Sequence, residues 1–441
     1  MVAGAFLLGA GSRSSRPWAF LTAALLMVPG LVGCAPDRPG PPPAPAVPSR
    51  SNSADPAPAP DPALPGSLAG IMPEAHGHLG PYRDRNGNLY TVVEDFLEGG
   101  NEPKAMRSTD GGATWAEIDP GNRTSTGDLE GNWAIQVGSR IYFAFQKSSG
   151  GIYLTAFDTS DATGAPDTWA IEREVIQEPG EKPEDQWVGL SALGDGDLWA
   201  FYSIEPTDRA SHRIAFRKRS ADTGSYGPQV VLDPDRTVTQ AVAVQGAGDV
   251  THVFYTDHDE RQLFYRALAA DGALGDPVRV DRTGTHEAHS PMTNAVVRRD
   301  GGTDRVTIAW ADAEGVLLSA DVVAGVPTAE QRVSDVPVAV DPGETDNLGA
   351  VAHLAAEGGT VHALYADAAT QDIWYDTQTG GVGFGADVEI VDDVLAQWLT
   401  GSLVVPDGNG RAVLGFLYDT GPHGDDEGII RYDEHVLPAG D

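Results

Sequence analysis

From about residue 75 to the C-terminus one pattern recurs seven times, and a chain that repeats itself this way has few folds open to it. Each copy carries a short run of apolar and aromatic residues that ends near an acid, at 89–95, 141–145, 198–202, 253–257, 306–312, 361–367 and 413–419. With Val93, Phe145, Tyr202, Tyr255, Trp310, Tyr365 and Phe416 taken as equivalent, successive copies lie 51 to 57 residues apart. The order inside each copy also repeats. A small apolar segment, as at 188–193 or 240–244, leads into a glycine turn such as Gly194-Asp195-Gly196, Asn86-Gly87 or Gly301-Gly302. Such turns suit the positive φ angles of tight hairpins. The aromatic run follows, then a third strand (151–157, 213–216, 263–266) and an outer segment (230–232, 278–280). Three or four short strands every 50 or so residues, with little helical periodicity, predict an all-β fold. The expectation is a seven-bladed β-propeller over 75–438, with six blades as the alternative. A large sandwich also contains many strands but does not require this regular internal order.

One segment carries a family resemblance. Ser108-Thr109-Asp110-Gly111-Gly112-Ala113-Thr114-Trp115 resembles the Asp-box of sialidase-like, BNR-repeat propellers at every defining position. Weaker echoes stand at Ser220-Ala221-Asp222-Thr223-Gly224 and at Thr159-Ser160-Asp161. The resemblance implies a structural turn between third and fourth strands, on the rim away from any ligand. In it Ser108, Asp110, Gly112 and Thr114 shape the hairpin, and Trp115 is buried beneath it. It implies nothing about chemistry. Sialidases of this kind need an arginine triad, a tyrosine with a glutamate and an acid aspartate, with an Arg-Ile-Pro type motif near the start. Here that stretch reads Ile71-Met72-Pro73-Glu74. No catalytic residue carries over, and whether the protein is an enzyme stays open at this point.

The N-terminus reads differently. Arg13 and Arg16 precede an apolar stretch from Trp18 to Val32, and small Gly33 precedes Cys34, the only cysteine of the chain. This is signal-peptide anatomy. Leu31-Val32-Gly33-Cys34 resembles a bacterial lipobox, which implies cleavage after residue 33 and acylation of Cys34. The expected address is the cell envelope, extracytoplasmic and lipid-anchored, on the outer membrane if the host has one. Twelve of the 32 prolines fall between Pro36 and Pro65, among few aliphatic side chains, so 34–70 is expected to be a disordered Pro/Ala-rich linker. The formal net charge is −35, and −37 without residues 1–33 and their two arginines. Nucleic acid is excluded as a partner on that ground, and anionic polymers are disfavoured.

In a propeller the residues leading into each first strand ring one mouth of the central channel. Those positions hold His78, Asn132-Trp133, Gln186-Trp187, Gln240, His289, Asn347 and Gln397-Trp398. Indoles stack on sugar C–H faces while amides and acids bond hydroxyls. His78, Trp133, Trp187, Gln240, His289, Asn347 and Trp398 are therefore the candidate ligand-binding set, for a neutral glycan or an envelope protein. The competing reading packs these tryptophans between blades, as core. Two other functions stay open: a glycoside hydrolase or lyase using paired carboxylates, and a protein-interaction scaffold. No metal site is assigned. His286-Glu287-Ala288-His289 lacks zinc-protease spacing, and Asp84, Asn86, Asn88 and Asp95 cross a hairpin. Calcium at Asp425, Asp426 and Glu427 is the one cofactor considered. The lipobox reading has a direct test: the wild-type chain expressed in bacteria should partition into detergent, and Cys34→Ser should stay aqueous or keep its signal. Equal partitioning of the two would contradict acylation.

Overall fold

The structure, a computed structural model, describes Gly66, Leu68 and residues 78–95, 102–118, 129–147, 151–161, 169–179, 187–204, 212–288, 290–340, 351–406, 411–420 and 429–438. Cys34, the signal segment and most of the proline-rich run lie outside the described residues, as do His289, Asn347 and Asp425 to Glu427. Seven antiparallel sheets follow one another in chain order, their strands in sequence order except that in blade five Gln331–Pro337 pairs with Val316–Val323 alongside Val326–Pro327. The protein is a seven-bladed propeller. The first strands are Tyr82–Arg83, Leu129–Val137, Val188–Ala192, Val238–Gln245, Val296–Asp300, Ala352–Glu357 and Ala396–Pro406.

The second strand of each blade explains why the repeat was so plain. It has a strand on either side in its own sheet and a neighbouring blade against each face, so neither face meets water. In Leu198–Ile204 only the last residue is not fully buried, and Ala412–Thr420 is buried except at its two ends. Such strands read as continuous apolar runs rather than alternating ones. The seven residues taken as equivalent are all buried to 1% exposure or less.

Blade seven has only three strands after residue 395. Its fourth edge is covered from the other end of the chain. The Tyr432 amide donates to the Gly66 carbonyl at 2.9 Å, and the Leu68 amide donates to Ile430 at 3.0 Å. Leu68 is 2% exposed. Gly66 and Leu68, within the span expected to be a linker, are thus hydrogen-bonded to the last strand of blade seven. A second seam lies at the axis, where Leu79 donates to the Thr400 carbonyl and Ala134 donates to His78. The backbones meet so closely there that a Cβ on Gly401 would fall 1.4 Å from the Gly80 oxygen.

The turn at 108–115 joins the third and fourth strands of blade one, Glu102–Ser108 and Ala116–Glu117. Ser108 Oγ accepts from the Gly112 amide and donates to Asp110 Oδ1, each at 2.8 Å. Asp110 Oδ1 takes the Thr114 amide at 2.9 Å, and Trp115 Nε1 donates to the Gly112 carbonyl at 3.0 Å. Trp115 departs from expectation. It is half-buried, because Tyr432 from blade seven fills the space beneath the turn, its ring centroid 5.7 Å from that of Trp115. A Cβ on Gly112 would come within 2.0 Å of that tyrosine ring. Loss of Trp115 should therefore cost less than a fully buried indole would.

The buried contact predicts a global effect from a local change at Leu68. Leu68→Asp puts a charge at a buried seam and should cost about 2 to 4 kcal/mol of whole-domain stability, read as a shift in a denaturant midpoint. An unchanged midpoint would show that the contact is dispensable.

Candidate functional site

The leading residues of the first strands converge on one end of the axis. His78, Trp133, Trp187 and Gln240, all singled out in the sequence, line one small cavity together with Asn294 and His353. The Trp133 ring lies 5.9 Å from His78 and 5.8 Å from Trp187, centroid to centroid. The free volume between them is about 20 Å³, enough for a single water.

These side chains do a second thing: they tie each blade to the next. Trp187 Nε1, on an indole only 2% exposed, donates to the Ala241 carbonyl of blade four at 2.6 Å. Gln240 reaches from blade four to blade five, where its amide accepts from Met292 N at 3.1 Å and donates to Met292 O at 2.9 Å. Asn294 repeats the device from blade five to blade six, accepting from Leu354 N and donating to Leu354 O, both at 2.8 Å. A side-chain amide has one donor group and one acceptor, so it can replace both halves of a peptide and satisfy a buried strand edge. Gln240 and Trp187 therefore serve packing as well as lining the cavity, and Trp133, 6% exposed, shows the cavity little more than an edge.

At the centre two histidines from distant parts of the chain meet. His78 Nδ1 stands 3.0 Å from His353 Nε2 with the ring planes 15° apart, and His353 Nδ1 stands 2.9 Å from Ser402 Oγ. One imidazole must donate and the other accept, so at least one tautomer is fixed by the pair. Desolvation lowers the His78 pKa to about 4. Burial, and then the neighbouring His78, hold His353 well below its ordinary value. Both rings are neutral at pH 7.

Not every sequence candidate is brought here. Trp398 lies on the first strand of blade seven, paired with Asp419, and its side chain is outside the described residues. His289 and Asn347 are outside them as well. In blades five and six the cavity is lined by Met292 to Asn294 and by Ala352 and His353. His353 and Asn294 were missed because the loops before these two strands are longer, which moves the phase by several residues. His353 is the second residue of its strand, Gln240 the third of its own, and Asn294 stands two residues before its strand, so no fixed offset from the strand start marks the cavity. Elsewhere Asp84 spends its carboxylate on the hairpin, accepting from the Asn86 and Asn88 amides at 2.8 and 2.9 Å.

Comparison with known proteins adds the fold's relatives. No protein-family model matches the sequence, and no curated protein matches it either. Among solved structures the chain is similar to the BP39L lectin from Burkholderia pseudomallei, with a TM-score of 0.60, 12% identity, and coverage of 83% of this chain and 97% of the lectin. It is also similar to an ulvan lyase, described as a new family of polysaccharide lyase, bound to -[GlcA(1-4)Rha3S]-. There the TM-score is 0.55 at 11% identity, over 83% of this chain and 95% of the lyase. At such identities the likeness is one of fold.

The depressed histidine gives a pH prediction with a definite sign. An unfolded histidine takes up a proton near pH 6.5, whereas His78 resists until about pH 4, so the unfolded state binds more protons between these values. The stability that the neutral ring contributes is whole above pH 6.5 and should fall as pH drops through 4, by up to about 3 kcal/mol. His78→Gln should flatten the stability profile in that window. An unaltered slope would mean that the ring is not buried neutral.

Proposed function

We propose that the protein is a lipid-anchored, extracytoplasmic propeller that recognises a neutral glycan at the mouth of its channel. The carrying observation is the convergence of His78, Trp133, Trp187 and Gln240 from four blades on one opening. The likeness in fold to a lectin over nearly its whole length supports this reading. The chemistry of the opening is uncharged, made of neutral imidazoles, indole edges and amides, within a molecule of net charge −35. That combination favours hydroxyl groups over carboxylates or sulfates. A cavity of about 20 Å³ admits no sugar ring, so the ring rests across the opening, where His78 is the least buried of the four side chains. The lipid on Cys34 would hold this mouth near the envelope surface.

A second reading, polysaccharide cleavage, is supported by the likeness in fold to an ulvan lyase. Against it stands the central pair: an imidazole whose pKa is about 4 is a weak base for taking a proton from a sugar carbon at neutral pH. Binding is the better fit.

A glycan array probed with the purified chain, combined with product detection on the same polysaccharides, tests both. Saturable binding without new products is expected, and His78→Gln should weaken it about tenfold with the fold retained. Formation of unsaturated or reducing ends would establish an enzyme. Sialic acid release is not expected from any substrate. A chain that binds no glycan would leave the scaffold reading.

A further inference from the structure

At the far end of the strands, on the side opposite the mouth, a cleft of about 460 Å³ opens between blades four and five. Its walls are short and apolar, with Val250, Ala267, Val278 and Ala324 among them, and its polar groups are His252, Tyr265, Asp276, Thr303 and Asp304. His252 spans the junction: Nδ1 lies 2.9 Å from the Tyr265 hydroxyl, and Nε2 lies 3.2 Å from Asp304 Oδ2 on the next blade. That oxygen also accepts from the Ala247 amide at 2.6 Å. The other, Oδ1, is buried and accepts no hydrogen bond, and the cation facing it, Arg299, stands off at 3.8 Å on a side chain 67% exposed. Asp304 is thus an under-satisfied carboxylate at the wall of an open cleft. Burial depresses His252 despite the pull of Asp304, so the imidazole adds no charge at pH 7.

The internal repeat shows what is missing. In blade three the matching pair across the second and third strands is Trp199 and Lys218, and in blade four it is His252 and Ala267. Lys218 Nζ stands 5.8 Å from the Trp199 ring centroid and 2.9 Å from Asp197 Oδ2. At the matching positions blade four has neither the indole nor the lysine, and Val250 stands where blade three has Asp197; the carboxylate within reach, Asp304, comes from blade five. The cleft is the room those two side chains would fill.

We propose that this cleft binds a primary alkylammonium group supplied by another molecule, its methylene stem along Val250, Ala267 and Val278 and its charge beside Asp304 and Asp276. Small aliphatic walls suit a methylene stem, and a desolvated carboxylate favours an ammonium over a neutral hydroxyl. The acidic molecule draws cations toward it. A sugar fits less well, since Tyr265 and His252 are 3% and 7% exposed and present no open ring face. A metal fits less well too: among the described residues no group of three or more ligating side chains is placed to hold one.

The test is calorimetric titration of the full chain with cadaverine, with the amide of Nα-acetyl-lysine, and with the uncharged diol of cadaverine's length. Saturable binding of an ammonium probe is expected, with none for the diol. The tighter of the two ammonium probes tells a free amine from a peptide lysine. Asp304→Asn should weaken binding about tenfold or more. Asp304 also caps Ala247 and positions His252, so Ala267→Lys is the complementary variant: it removes no acid, restores the lysine of blade three, and should abolish binding with the melting temperature kept. The proposal is overturned if neither ammonium probe saturates the wild-type chain, if the diol or a methyl glycoside binds as tightly, or if folded Ala267→Lys binds undiminished.

Discussion

A blade whose second strand is apolar on both faces cannot stand alone, and everything else in this molecule follows from covering those faces. Six junctions are made by blades that follow one another in the chain. The seventh joins blades formed more than three hundred residues apart, where Leu89, Val92 and Met106 share one buried core with Val405, Val413 and Leu417, and backbone bonds add Gly66 and Leu68 on the outer edge of blade seven and Leu79 on Thr400 at the axis. Glycine is required at that axial seam, since the Gly80 carbonyl occupies the place where a side chain on Gly401 would begin. Closure also seats His78 beside His353 and so makes the mouth. The candidate site exists only in the closed ring.

The acidity that excluded nucleic acid has a local explanation in many of the hairpins. Asp312 Oδ1 accepts from the amides of Glu314 and Val316, Asp367 Oδ1 from those of Ala369 and Thr370, and Asp271 Oδ1 from that of Ala273. Asp110 is held below the usual carboxylate range by the Thr114 hydroxyl first, and further by amides and Ser108. Asp312 and Asp367 serve the turn between second and third strands, Asp271 and Asp110 the turn between third and fourth, because aspartate closes a turn on its own backbone. Part of the charge is thus the chemistry of turning the chain.

What was legible in the sequence was what depends on near neighbours or on every copy alike. The phase of Phe145, Tyr202, Tyr255 and Trp310 could be read because burial on both faces imposes the same residue types in each copy. The turn at Ser108 to Trp115 could be read because its bonds span only a few residues. The environment of Trp115 could not, since Tyr432 arrives from the other end of the chain. The same holds for the central histidines, 275 residues apart. Of the candidate set, Trp133, Trp187 and Gln240 line the axial cavity, but the bonds of Trp187 and Gln240 to the next blade are invisible in the sequence, because a side-chain amide that binds a ligand and one that binds a strand edge look alike there.

The contact made by Gly66 and Leu68 has a mechanical consequence. Any tension applied through the chain upstream reaches the propeller first at this edge, where two backbone bonds, to Tyr432 and Ile430, and the buried Leu68 side chain resist it. The point where the chain leaves the domain is therefore also an edge of the last blade. A pull strong enough to peel those residues away would bare that edge first, with the axial seam between Leu79 and Thr400 still in place.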